Sequence, residues 1–193
     1  MRKDVKNFVN SCITCNLKKS RGRKKIKKIQ FEEGGIFDII HVDIIGPLPP
    51  NREIKYKVTI IDRFSSWFEA IPVPDISSVT IIKAIKENWI CRYGPPKKLI
   101  SDQGRQFESD LFKKFCSSFG IFKIRTTPYN PNSNGKVEIF NRYLKQTIRL
   151  KGNDTNWLDI LPEALLCLRL KPNSALGISP LEKLCGKKSF VKL

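Results

Sequence analysis

Three β-patterned segments, then alternating helical and strand segments, then helices alone predict an α/β layered domain with a mixed five-stranded sheet flanked by helices. Three observations carry this expectation. Residues 36–45 (IFDIIHVDII) are almost continuously apolar and rich in β-branched side chains, as a central strand covered on both faces must be. Residues 56–62 (YKVTIID) and 67–73 (WFEAIPV) follow with a turn at 63–66, completing an antiparallel meander. From residue 79 on, apolar stripes of helical period alternate with short strands.

The elements follow in order. Gly46-Pro47-Leu48-Pro49-Pro50 ends the first strand. Val79, Ile82, Ile85 and Trp89 mark a helix stopped by Gly94-Pro95-Pro96. Lys98 to Ser101 is a short strand running into Asp102. Phe107, Leu111, Phe112, Phe115 and Phe119 form one helical stripe ending near Gly120, and Ile121 to Ile124 is the fifth strand. A polar loop spans Thr126 to Asn134. Gly135 then opens a long helix with Val137, Phe140, Leu144 and Ile148 on its apolar face. Trp157, Ile160, Leu161, Ala164, Leu165 and Leu168 mark the next helix. A last short one begins at Ser179-Pro180-Leu181-Glu182, a capping box with Pro at the first helical position.

Charge is distributed unevenly over the 193 residues, whose formal net charge is +18. Residues 1–30 hold eleven Lys or Arg and one acid, a net of +10. The densest run is Lys18, Lys19, Arg21, Arg23, Lys24, Lys25, Lys27 and Lys28, too poor in apolar residues to build a core. It reads as a linker over residues 18–33, either a solvated tether or an arm that contacts phosphates. A net charge of this size predicts a polyanionic partner, most simply nucleic acid. Hydrophobic residues make up 40% of the chain, enough for a core. No apolar run approaches the ~18–20 residues of a membrane helix, and no secretory leader opens the sequence, so the expected address is intracellular and no membrane partner is expected. The six cysteines are scattered and read as reduced thiols, with Cys91, Cys116 and Cys167 as small core residues.

Three carboxylates stand out. Asp43 lies inside the most apolar strand, where an ionised carboxylate costs several kcal/mol unless a cation compensates it; the bland alternative is a frayed strand end near Gly46. Asp102 follows a strand at its carboxyl end, where α/β sites are built, or is simply a turn residue before Gly104. Glu138 lies in the first turns of the long helix, with Arg142 and Lys145 at +4 and +7 on the same face, or is one charge of a solvated surface. Together they supply hard oxygen ligands suited to Mg²⁺ or Mn²⁺. Two such ions activate an attacking oxygen and stabilise the leaving oxygen of a phosphodiester, with no need of the single histidine, His41.

The order Asp43, Asp102, Glu138, with thirty-five residues between the last two, resembles the D,D(35)E signature of retroviral and retrotransposon integrases. Residues 41–49 (HVDIIGPLP), 61–67 (IDRFSSW), 101–107 (SDQGRQF) and 134–138 (NGKVE) are similar to the Ty3/gypsy class of these enzymes. The similarity runs from about residue 4 to about 187. It implies an RNase H-like core over residues 34–193, with its C-terminal helices included. It also implies Asp43, Asp102 and Glu138 as catalytic residues holding two Mg²⁺ or Mn²⁺ ions. The reactions implied are DNA 3′-end processing and strand transfer, an endonuclease and polynucleotidyl transferase chemistry that inserts element DNA into host DNA. Element ends and target DNA would be partners, the active form a homo-oligomer, and the site of action the nucleus. Asn134, Arg142 and Lys145 fall where the family contacts DNA, and Lys24, Lys25, Lys27 and Lys28 lie in the basic linker.

Three departures from the family pattern are visible. Residues 1–17 resemble only the end of the family's N-terminal His₂Cys₂ zinc module. Cys12 and Cys15 fit its cysteine pair and no histidine precedes them, so two ligands stand where four are needed and no bound zinc is expected. The loop Tyr129-Asn130-Pro131-Asn132 replaces the family's Tyr-His-Pro-Gln. The sequence stops at Leu193 without the family's C-terminal region, as expected of a polyprotein piece or a decayed copy. The rival expectations are a catalytically inactive nucleic-acid-binding remnant and, third, an RNase H or resolvase on the same fold.

Overall fold

A computed structural model describes residues 34–49, 51–126, 131–151, 156–172 and 177–186, with 131–136 and 151 described by backbone alone. The chain divides into two units, Met1–Phe31 and Glu32–Leu193, and the described residues all belong to the second. Cys12, Cys15 and the lysines of the basic linker lie outside the described residues, as does the loop 127–130.

The sheet has five strands in the order β3-β2-β1-β4-β5. They are β1 (Ile39–Ile45), β2 (Tyr56–Asp62), β3 (Phe68–Val73), β4 (Lys98–Ser101) and β5 (Phe122–Arg125). β1–β2–β3 is the antiparallel meander expected, and β4 and β5 join it in parallel on the other side of β1. The most apolar segment is therefore the central strand, as its composition requires. Strand β1 starts later than its composition alone suggests, because Gly35 to Asp38 form a turn with Phe37 at a positive φ of 67°. It ends at Gly46, where φ is 150° and any Cβ would strike the Tyr56 ring and the Lys55 carbonyl.

Successive side chains of a strand alternate between faces, and the sheet keeps two distinct cores. On one face Ile40, Val42, Val58, Ile60 and Leu99 pack against Ile81, Ile85, Trp89, Phe107, Phe112 and Phe115. These come from α1 (Ser78–Ile85), the π-helical turn that follows it (Lys86–Ile90) and leads into the helical turn α2 (Cys91–Tyr93), α3 (Arg105–Glu108) and α4 (Asp110–Ser118). On the other face Ile61, Phe68 and Ala70 pack against Val137, Leu144 and Ile148 of α5 (Pro131–Lys151) and Trp157, Leu161, Ala164, Leu165 and Leu168 of α6 (Trp157–Leu170). Helix α7 (Pro180–Cys185) starts at the expected cap, where the Ser179 hydroxyl accepts from the Glu182 amide at 3.1 Å.

Several expectations need correction. The stripe from Phe107 to Phe119 is two helices, because Ser109 is extended (φ −63°, ψ 148°) and its hydroxyl caps α4 by accepting from the Phe112 amide at 3.2 Å. Leu111 consequently leaves the buried stripe and is 48% exposed. Val79 sits in the first turn of α1 and is 64% exposed, the buried stripe being Ile81, Ala84 and Ile85. Cys91, at the step out of the π turn, is exposed, and Cys167 is half-buried; Cys116 alone of the three is buried. Helix α5 begins at Pro131, four residues before Gly135, since proline's fixed φ suits a first helical turn.

Candidate active site

Residues His41, Asp43 and Ile45 of β1 project to the α5/α6 face, opposite Ile61, Thr59 and Lys57 of β2. Asp43 is half-buried there, near the carboxyl end of the central strand. Its Oδ1 accepts from the Ile44 amide at 2.9 Å and its Oδ2 from Asn141 Nδ2 at 3.0 Å. Burial raises its carboxyl above the ordinary carboxylate range, and the charges of Asp102 and Glu138 raise it further, against those two hydrogen bonds.

Asp102 comes alongside through the parallel pairing of β1 and β4. His41 stands opposite Ile100; two residues on come Asp43, within β1, and Asp102, just past the end of β4. Asp102 is exposed, and its Oδ1 accepts from the Gly104 amide at 3.0 Å, which fixes the turn leading to α3. Glu138 is exposed on α5, next to the fully packed Val137 that pins that turn of the helix to the sheet. The three carboxylates share one electrostatic environment without forming a closed cage. Among the described residues no three His, Cys, Asp or Glu side chains are drawn together closely enough to hold an ion as they stand.

The donor chemistry nonetheless fits a hard divalent ion. The three side chains are oxygen donors, and one of them already feels the other two. Beside them the Oδ1 of Asn141 is buried and has no hydrogen-bond partner. An open set of carboxylates suits Mg²⁺, which retains several waters.

Arg142 and Lys145 are exposed on α5 and follow Glu138 along one face, as their spacing requires. Asn134 lies in the first turns of α5, and its side chain is outside the described residues. His41 is 2% exposed in β1, with Arg63 Nη1 3.5 Å from its Nε2.

Sequence reasoning missed four residues. Asn141, one turn beyond Glu138, was legible from the i,i+3 spacing once Glu138 was chosen. Asp62, wholly buried, accepts from the Phe37 and Ser65 amides and the Ser65 hydroxyl and shapes the β2–β3 turn. Glu69 pairs with Arg169 at 2.6 Å across one hundred residues of sequence, which no local pattern signals. Lys57 is 2% exposed on the face of Asp43, although strand alternation marked it as a solvent position.

Residues 37–131 match the family model described as the integrase core domain. The Gag-Pol polyprotein of avian reticuloendotheliosis virus is 36% identical over 149 residues, 76% of this chain and 13% of that polyprotein. The Pol polyprotein of transposon 412 from Drosophila melanogaster is 31% identical over 156 residues, 79% of this chain and again 13% of the relative. The chain thus spans about an eighth of the length of these two relatives. Among solved structures, the catalytic core domain of BIV integrase superposes with a TM-score of 0.60 at 25% identity, over 76% of this chain and 92% of that one. A chain of the simian T-cell lymphotropic virus intasome, solved with PP2A regulatory subunit B56 gamma, superposes with a TM-score of 0.69 at 21% identity, over 97% of this chain and 68% of that one. The mixed five-stranded sheet with helices on both faces is therefore RNase H-like, and within it this chain carries an integrase core domain homologous to those of retroviral and retrotransposon Pol polyproteins.

Proposed function

We propose that this chain catalyses the phosphodiester chemistry of DNA integration, 3′-end processing followed by strand transfer, as a Ty3/gypsy-type member of the family. The observation that supports it most is Asp43 at the centre of the sheet, its carboxyl raised first by burial and then by the charges of Asp102 and Glu138, with Asp102 following the strand that pairs in parallel with its own. Mg²⁺ or Mn²⁺, held by these three carboxylates, would supply activation of the attacking oxygen and neutralisation of charge on the leaving oxygen.

The chain's own residues do the rest. The Ile44 amide and Asn141 fix both oxygens of Asp43, so its carboxylate does not have to reorganise as the substrate arrives. Arg142 and Lys145 extend from Glu138 along α5 and bind the phosphates that flank the scissile bond. In processing, a water oxygen attacks phosphorus and the 3′ oxygen leaves as a hydroxyl; in strand transfer that 3′-hydroxyl oxygen attacks a target phosphorus, loses its proton, and the target strand's own 3′ oxygen leaves as a hydroxyl. Element ends and target DNA are the partners, a homo-oligomer is the active form and the nucleus is the place of action. The similarity to a chain of an intasome supports the first two. Residues 1–17, in this reading, are the end of a zinc module and residues 18–33 a DNA-tracking linker.

The test is a labelled duplex carrying an element end, incubated with the full chain and Mg²⁺. Metal-dependent nicking and joined products are expected, and Asp102→Asn should abolish both. DNA binding without nicking would favour an inactive remnant, and cleavage confined to RNA–DNA hybrids would favour an RNase H.

A further inference from the structure

Lys57 is a charged side chain in an unusual place. Its residue is 2% exposed, between β2 and the helices of the second core. It shares a sheet face with Asp43: Thr59 stands opposite Asp43, and Lys57 is two residues along β2 from Thr59, a diagonal neighbour at about 7–8 Å between Cα atoms. Because β2 runs antiparallel to β1, its amino end lies at the same sheet edge as the carboxyl end of β1 that carries Asp43.

Asp43 is the carboxylate nearest in register, and among the described residues none forms an ion pair with this ammonium. The Trp157 ring centroid of α6 lies 5.9 Å from its Nζ, β1 and β3 present Ile45 and Pro72 at the paired positions, and α5 contributes Lys145, another cation. Among the described residues no hydrogen bond or ion pair reaches it. Burial, and then the charge of Lys145, lower the Lys57 ammonium from 10.5 to about 8. Lys145 stands one turn beyond Asn141, which bonds Asp43, so a cation of α5 and a buried cation of β2 flank the same end of the sheet, an energetic cost that an anion between them relieves.

We propose that Lys57 and Lys145 together grip a phosphate of the bound DNA strand beside the Asp43–Glu138 cluster. This rests on the reading of α5 as the helix that faces DNA, and it adds a buried anchor on the sheet to the exposed cations of the helix. Lys57 is held by the strand and by packing on Trp157, so little side-chain entropy is lost when a phosphate arrives. Lys145, on the surface of α5, supplies the second contact. The ligand is a phosphodiester, read without regard to base sequence.

Two measurements test it, and neither needs cleavage. In the full chain labelled with [ε-¹³C]lysine, the Lys57 signal is assigned by its loss in Lys57→Met, or in Lys57→Arg should the methionine variant fail to fold. Its titration midpoint should rise by at least one pH unit when a duplex oligonucleotide is added. The slope of log affinity against log salt should fall by ~0.9 in Lys57→Met and be kept in Lys57→Arg. An unmoved midpoint with an unchanged slope would overturn the proposal. A midpoint moved by inorganic phosphate but not by the duplex would overturn it in favour of a free-anion site. A chain that binds DNA in this way but never nicks it would keep this proposal and lose the integration reading. A chain that nicks normally in Lys57→Met with an unchanged slope would do the reverse.

Discussion

Replacing Lys57 by methionine should make the protein more stable, although it alters a buried residue. Methionine keeps an unbranched stem to lie against Trp157 and removes the ammonium. The folded state lowers this lysine from 10.5 to about 8, and at 1.36 kcal/mol per pH unit that is worth about 3 kcal/mol. The sign follows from proton counting. Between pH 8 and 10.5 the unfolded chain holds the proton that the folded chain has released, so the wild type gains stability as pH rises through that window. Below pH 8 both states are charged and the whole penalty is present. Lys57→Met should therefore be about 3 kcal/mol more stable at pH 7. For a unit of this size that raises the melting temperature by about 6–12 °C. The advantage should vanish near pH 10.5. Urea unfolding of both proteins at pH 7 and pH 10.5, with thermal melts alongside, measures it. A methionine variant less stable at pH 7, or an advantage independent of pH, would refute the reasoning, since either result means the ammonium is already well compensated in the folded state.

Three further outcomes follow from other parts of the molecule. Burial and two neighbouring carboxylates raise Asp43, so the folded state holds its proton more tightly and loses stability as pH climbs from the unfolded value through the folded one. At pH 7 Asp43→Asn should leave the metal-free melting temperature unchanged or higher, with Asn141 free to turn its unpaired Oδ1 toward the new amide, and should abolish the rise caused by Mg²⁺; thermal melts with and without Mg²⁺ decide. Arg169→Met strands the Glu69 carboxylate, which keeps only the Trp67 indole and Tyr93 hydroxyl as donors, and should cost about 3–5 kcal/mol in urea unfolding, part of it recovered by adding Glu69→Gln. Deleting residues 18–28 should flatten the salt dependence of DNA binding measured by fluorescence anisotropy, each lost phosphate contact removing ~0.9 from the slope.

The central strand, the meander and the parallel additions were legible because each rests on a short local pattern: a continuous apolar run, period-two alternation, or a Gly-Pro stop. Asp43 stood out for the same reason, as a charge inside an apolar strand, whereas Asp102 also read as a turn residue before Gly104, whose amide its Oδ1 accepts from. What stayed hidden depends on neighbours distant in sequence. The alternation Tyr56, Val58, Ile60 against Lys57, Thr59, Ile61 is that of a strand with one wet face, and only the arrival of α5 and α6 buries the second. Ser109 interrupts an otherwise perfect helical stripe with a cap whose competing hydrogen bond is invisible to periodicity. The Glu69–Arg169 pair, and the Arg169 guanidinium stacked 4.3 Å from the Trp67 ring, join segments that no spacing rule connects.

The division of the active face between sheet and helix carries an evolutionary consequence. Asp43 is positioned by the backbone ladder of β1 with β2, and Asp102 by the end of β4 that pairs with β1, which almost any side chains leave intact. Glu138 is positioned by the fit of Val137, Leu144 and Ile148 against α6 and the sheet, where a single methylene matters. Leu161, Ala164, Leu165 and Leu168 share that core, so a change of volume there is expected to shift α5 and with it Glu138. On the proposed function, such a lineage would tune its chemistry through the hydrophobic core, and changes that look like neutral repacking would be the ones by which related copies drift in activity.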